Sequence, residues 1–211
     1  MRIENLAKSE KSKEKFVVTF ENGTNIKVST AQIADFGLYS GREFTPEEYN
    51  ELKSAIELSS AKASALRILG SRSLSAHDME RRLTGKGVSA ETAGAVVGWL
   101  VGCGMINDTE FAAEIVSHYS AKGYGPMRIK DELYKRGVPR EVSAEAMSSL
   151  DEAANGDAAF EFARKKLDGS TDKADVHNVI NALCRRGFSY EDARIAVREY
   201  LESAEEAAGA E

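Results

Sequence analysis

Proline is scarce in this sequence: Pro46, Pro126 and Pro139 are the whole supply in 211 residues. So few breakers leave room for long helical stretches. Cysteine is scarcer still. Cys103 and Cys184 stand far apart, without CxxC spacing. That excludes a disulfide framework and points to reduced, buried thiols. No run of ~20 apolar residues occurs, so no membrane span is expected. Met1-Arg2-Ile3-Glu4-Asn5-Leu6 offers no apolar core of a secretory signal, and the cytoplasm follows by elimination. A surplus of positive charge is missing too: 28 Lys and Arg face 34 Asp and Glu, a net charge of −6. A protein built chiefly to coat duplex phosphates needs the opposite balance. The charge is uneven, however. Glu199 to Glu211 hold five Glu and no basic residue, while Arg128 to Arg140 are basic on balance.

Catalytic signatures are also lacking. Gly85-Lys86 resembles the end of a phosphate loop, but that loop needs Gly at 80 and Ser or Thr at 87, where Glu80 and Gly87 stand. Gly102-Cys103-Gly104 lacks the third glycine and preceding strand of a dinucleotide site. His77, His118 and His177 fit no metal spacing and read as ordinary helix residues. Glu114 and His118 read as a surface pair. No Ser or Cys has a base partner nearby in sequence. No catalytic residue, cofactor or metal is expected.

What is present begins with fifteen polar residues of mixed charge, expected to fray. Phe16-Val17-Val18-Thr19-Phe20 and Ile26-Lys27-Val28 flank Asn22-Gly23, which predicts a β-hairpin. An isolated hairpin is marginal in water, so it must lean on the helices that come after it in the chain. Gln32 to Phe44, broken by Gly37 and Gly41, read as a short helix and a turn. Thr45, Pro46 and Glu48 form a capping-box pattern that starts a helix.

The dominant feature is an internal repeat. Leu83 to Gly87-Val88 recurs as Leu133 to Gly137-Val138 and as Leu183 to Gly187-Phe188, 50 residues apart each time. Met79, Ile129 and Val179 keep step, as do Val97, Met147 and Val197, and Leu100, Leu150 and Tyr200. A Gly after a helical run is the usual left-handed stop, and the apolar residue after it packs on the Leu before it. Each Leu should therefore touch its Val or Phe. Ser75 with Asp78, Gly125-Pro126 and Asp172 predict the starts of the helices that these glycines end. Ser89, Pro139 and Ser189 with Asp192 predict the starts of the next ones. A further helix precedes each pair. It carries Ala65, Leu66 and Leu69, then Phe111, Ile115, Val116 and Tyr119 after Asn107, then Phe160, Phe162 and Leu167. The fold class read is mainly α: three tandem three-helix bundles in an elongated curved array, behind a small hairpin-containing region. The boundaries are 1–45 for that region, 46–61 for a connecting helix, 62–108, 109–156 and 157–204 for the repeats, and 205–211 for an acidic tail.

Lys86, Arg136 and Arg186 form one repeated column before each Gly; Lys135 and Arg185 form part of a second. One reading is that cations at helix C-termini complement the macrodipole. The other is a row of cations facing an acidic groove on a partner, extended by Arg67, Arg72, Arg81, Arg82 and Arg128. Arg164-Lys165-Lys166 reads as a solvated face. Trp99 reads as core, with an interface anchor as the alternative. Tyr124, between Gly123 and Gly125, reads as exposed.

These residues resemble the RecX family. Ser64-Ala65-Leu66-Arg67 to Arg72-Ser73, with Arg81-Arg82-Leu83 and Lys86-Gly87, is similar to its opening. Gly104 to Asn107-Asp108-Thr109-Glu110-Phe111-Ala112, Gly125-Pro126 to Leu133 with Arg136-Gly137, and Arg185-Arg186-Gly187-Phe188 are similar to its later landmarks, in order, from about residue 62 to 201. The resemblance implies a regulator that binds RecA as a filament on single-stranded DNA. It implies lowered strand exchange, ATPase and co-protease activity, and with them effects on recombination, repair and the SOS response. A monomer without catalysis suffices for that task. The pI of about 5.3 departs from the family's frequent basic character and implies weak or absent direct DNA binding. A free-standing nucleic-acid-binding repeat protein, acting without RecA, is the alternative.

Overall fold

The computed structural model describes residues 1–9 and 14–209. A three-stranded antiparallel sheet comes first: β1 (Ile3–Lys8), β2 (Lys15–Phe20) and β3 (Asn25–Ser29), in that order across the sheet. The predicted hairpin is β2–β3, in register through Phe16 with Val28 and Val18 with Ile26. The expected fraying of the first fifteen residues is corrected for Ile3–Lys8, while residues 10–13 lie outside the described residues. Ile3 is fully buried and Leu6 pairs with Val18, so β1 shields one edge of a hairpin that would be marginal alone. Helix α1 (Thr30–Asp35) comes next, closed by Ser29 and Gln32 in a capping box.

Helix α2 (Pro46–Leu69) starts at the Thr45–Glu48 capping box and runs unbroken for 24 residues. Its Leu52 joins Ile3, Val18, Phe20, Val28, Leu38 and Phe44 in one core beneath the sheet. Eight more helices complete the chain: α3 (Ala76–Thr84), α4 (Ala90–Gly102), α5 (Asp108–Ala121), α6 (Pro126–Lys135), α7 (Arg140–Ser148), α8 (Glu152–Leu167), α9 (Lys173–Arg185) and α10 (Tyr190–Gly209). Ten helices and one small sheet among the described residues make the chain mainly α, as the sequence implied.

Packing divides the chain into two compact units. The first is Met1–Arg72 with Glu80–Trp99. The second is Ser73–Met79 with Leu100–Glu211. In the second, α5, α6 and α7 enclose Ala112, Ile115, Val116, Ile129 and Leu133. In the same way α8, α9 and α10 enclose Ala159, Ala163, Leu183, Phe188 and Val197.

The repeated ending is realised three times. Gly87, Gly137 and Gly187 have φ of 86°, 68° and 94°. The N–H of Val88, Val138 and Phe188 donates to the carbonyl of Leu83, Leu133 and Leu183 at 3.2, 3.1 and 3.2 Å. Each Gly N–H donates to the carbonyl three residues earlier, at 2.9, 2.9 and 3.0 Å. This paired geometry is the Schellman stop. All three leucines are fully buried. The predicted starts hold as well: Ser75 caps at Asp78, Asn107 at Thr109 and Glu110, Asp172 at Ala174, Ser89 at Thr92, and Ser189 at Asp192.

Other expectations need correction. Cys103 is exposed and Cys184 half-buried, so neither is a buried thiol. Leu66 is 43% exposed, so it does not share the core stripe of Ala65. Trp99 is half-buried rather than core, with the Lys62 ammonium 4.6 Å above its ring. Of the acidic tail, Glu205 and Glu206 extend α10, while Glu211 lies outside the described residues.

Candidate partner interface

Within the second unit, the glycine endings each seat the start of another helix. At the end of α6, Gly137 lies so close to His77 on α3 that an added Cβ would sit 2.2 Å from the imidazole Cδ2. The Ser75 hydroxyl, fully buried, donates to the Arg136 carbonyl there. At the end of α9 the same arrangement recurs on α6. The N–H groups of Gly125 and Met127 donate to the carbonyls of Arg186 and Gly187, both at 3.0 Å. A Cβ on Gly187 would meet the backbone N of Arg128 at 2.4 Å. Absence of a side chain at these two glycines thus serves both the helix stop and the joint between bundles.

Around these joints the structure gathers cations and aromatics. Glu132, only 8% exposed, is the hub on α6. Its carboxylate meets Arg128 at 3.0 Å, Arg136 at 3.4 Å and Lys135 at 3.7 Å. It also accepts from the Tyr119 hydroxyl at 3.1 Å. One buried carboxylate so surrounded fixes the cations, as a lone buried charge would be costly. From Arg136 a ladder continues. Its guanidinium lies 6.0 Å from the Tyr119 ring centroid, Tyr119 contacts Tyr124 at 5.4 Å, and Arg186 covers Tyr124 at 4.7 Å and Phe162 at 5.0 Å. Arg186 also donates to the carbonyls of Lys122 at 2.7 Å and Gly123 at 3.1 Å. Tyr124 is therefore half-buried under a guanidinium, not exposed as its glycine neighbours implied.

Of the sequence-selected cations, Arg128, Lys135, Arg136 and Arg186 are brought together in this way. Arg185 is exposed beside them on the last turn of α9. In the first unit, Arg67 at the end of α2, Arg72 after it, Arg81 on α3 and Lys86 are exposed, and Arg82 is half-buried. Arg164, Lys165 and Lys166 are exposed on α8, with Arg164 paired to Glu161 at 2.7 Å. The Arg164 guanidinium, hydrogen-bonded to that carboxylate, holds Glu161 below the usual carboxylate range.

The sequence reading missed the apolar part of this surface. Tyr134 is 84% exposed and Met127 61% exposed, both on α6. They stand seven residues apart, which places them on one helix face, away from the buried Ile129 and Leu133. That spacing was a usable signal, hidden because the core stripe of the same helix is stronger. Aromatic, Met and Arg side chains are the residue types enriched in protein interfaces. No group of three or more His, Cys, Asp or Glu that could hold a metal occurs among the described residues. No helix there is long and apolar enough to cross a membrane.

The class these features define is a mainly helical protein of repeated three-helix bundles, each ending one helix at a left-handed glycine. Family models sharpen that class. The first three-helix domain of RecX matches residues 61–100, and the second matches 107–147. A protein named Regulatory protein RecX from Xanthomonas campestris pv. campestris (strain B100) is 34% identical over 140 residues, covering 65% of this chain and 86% of the relative. Its namesake from Streptococcus gordonii is 25% identical over 193 residues, covering 90% of this chain and 75% of the relative. A crystal structure of regulatory protein RecX superposes with a TM-score of 0.71 at 17% identity, over 94% of this chain and 98% of that one. RecX from Lactobacillus salivarius gives 0.64 at 19% identity, over 69% of this chain and 97% of that one. The chain belongs to the RecX family of regulatory proteins.

Proposed function

We propose that this protein binds RecA assembled as a filament on single-stranded DNA and lowers its strand exchange, ATPase and co-protease activities. Family membership supports the reading. The observation that carries it is the ladder Arg136–Tyr119–Tyr124–Arg186, with Tyr134 exposed on another face of α6. It offers fixed cations and an aromatic anchor to an acidic, partly apolar protein surface. Several contacts along a periodic filament would add through effective concentration, and binding one filament state better than another shifts its population without catalysis. The contact set is Arg67, Arg72, Arg81, Arg82, Lys86, Arg128, Lys135, Arg136, Arg185 and Arg186, spread over repeats at 62–108, 109–156 and 157–204. The site of action is the cytoplasm.

Adding the purified protein to RecA on single-stranded DNA should depress ATP hydrolysis. A chain carrying Tyr134→Ala, at an exposed position, should need about thirtyfold more protein for equal inhibition, since an aromatic anchor contributes about 2 kcal/mol. Its helical circular dichroism should match the parent. An unchanged hydrolysis rate at several-fold molar excess of the parent protein over RecA would overturn the proposal.

A further inference from the structure

Two of the three glycine endings are occupied from within the chain; the third is not. Gly137 receives α3 at His77, and Gly187 receives α6 at Gly125 and Arg128. Gly87 has the same left-handed conformation and the same two hydrogen bonds, yet among the described residues nothing lies within 4 Å of where its Cβ would be. Lys86 and Gly87 are exposed, whereas Gly187 is buried. Beside Gly87 runs a groove of about 720 Å³ along α2, bounded by the turn at Lys86–Val88 and by Ile26 of β3. Ile26, Ile56, Ala61 and Val88 supply its apolar lining, and its charged lining is Lys53 and Lys86 with one carboxylate, Glu57, which is held by the Ser89 N–H.

We infer that the Gly87 ending with this groove is a docking site for the first turn of a helix of the bound partner, used as the chain uses its other two endings internally. The occupant is specified by the two built joints. Each accepts a helix start whose N-cap residue is small, Ser75 or Gly125, and which donates an O–H or N–H to the carbonyls of the loop. Lys53 and Lys86 add a preference for acidic residues in that first turn, where they also suit the helix's own dipole. The inference rests on the proposed RecA partner, whose filament would provide the helix.

Asparagine at Gly87 tests the fit. Asn tolerates a left-handed φ better than other side chains, and the space around Gly87 is open, so Gly87→Asn should fold. At the two occupied joints an added Cβ would sit 2.2–2.4 Å from its neighbour, so a docked helix start would be displaced. Fluorescently labelled parent and Gly87→Asn proteins are titrated with RecA filaments on single-stranded DNA and followed by anisotropy. The expected result is an affinity about tenfold weaker for the variant, with its thermal unfolding still cooperative. Lys53→Glu, on α2 and outside the glycine stop itself, should weaken binding several-fold. Parent binding with both variants equal to it would overturn the inference and leave the RecA reading standing. No binding by the parent would sink both. Sedimentation of the protein alone supplies the remaining arm. Self-association that Gly87→Asn abolishes would place a second copy in the groove and overturn the inference as stated.

Discussion

Gly137 and Gly187 each meet two demands, and Gly87 meets one; that difference is measurable. Substituting Ala at Gly87 adds only the strain of a left-handed backbone, about 1 kcal/mol. The same change at Gly137 also drives a methyl into the His77 ring, and at Gly187 into the backbone of Arg128. Overpacking of that kind costs about 1–3 kcal/mol more. Urea unfolding should therefore rank Gly87→Ala as mild and both Gly137→Ala and Gly187→Ala as severe. Equal losses at all three positions would mean that the joints are not held as described. Arg186 likewise has a structural task beside any role toward a partner. It bonds two carbonyls of the α5–α6 loop and covers two aromatic rings. Arg186→Gln should cost about 2 kcal/mol, and Lys should not restore it, because a single ammonium cannot reproduce the planar fork. Lys86→Gln should be neutral in the same assay. Helix-dipole complementarity alone would predict similar small losses at both.

At the level of elements, local chemistry wrote most of the fold in readable form. Caps at Thr45, Ser75, Asn107, Asp172 and Ser189, and stops at the three repeated glycines, depend on residues within five positions of one another. Such signals need no knowledge of distant partners. Strand β1 was missed because its alternation is weak: only Ile3 of its six residues is fully buried, and the register with β2 slips between Ile3 and Asn5. The joints were illegible for a related reason. Ser75 to Arg136 and Gly125 to Arg186 are contacts across 61 residues, invisible to any periodicity within one helix. A third long-range tie, from Glu57 on α2 to Ser89, carries a pH signature. The Glu57 carboxylate accepts from the Ser89 N–H at 2.8 Å, and that backbone bond, helped by the Ser89 hydroxyl, lowers its pKa. A lowered folded-state pKa contributes stability that is present above the ordinary carboxylate value and is lost as pH falls through the folded value. Glu57→Gln keeps an acceptor oxygen but cannot titrate. The stability difference between parent and variant should be constant near neutrality and shrink as pH falls below the usual carboxylate range. A difference that stays flat through that range would remove Glu57 from the account.

For the molecule as a whole, the sign of the charge separates the two partner classes. The chain carries a net −6, so a single strand of nucleic acid meets overall repulsion at long range. Four of the cations that would otherwise serve phosphates are committed: Arg128, Lys135 and Arg136 to Glu132, and Arg186 to backbone carbonyls. Releasing each for a phosphate would expose a carboxylate or carbonyl that is now satisfied. The aromatic and apolar groups of a protein surface make no such demand, because they can stack on the ladder without displacing those bonds. The cations were legible in the sequence one by one, but their commitments were not, since Tyr119 and Tyr124 gave no sign of standing between them. The consequence is a contrast in salt dependence. Labelled single-stranded DNA without RecA should bind weakly at 50 mM salt, with a slope against log salt corresponding to about one or two phosphates. Binding to RecA filaments should be tighter and should survive 200 mM salt in large part, because an apolar anchor at Tyr134 is not screened. Tight binding to bare DNA with a steep salt slope would instead identify a free-standing nucleic-acid-binding protein, and would place its phosphate contacts on exposed cations that Glu132 does not hold, such as Arg67, Arg72, Lys86 and Arg185.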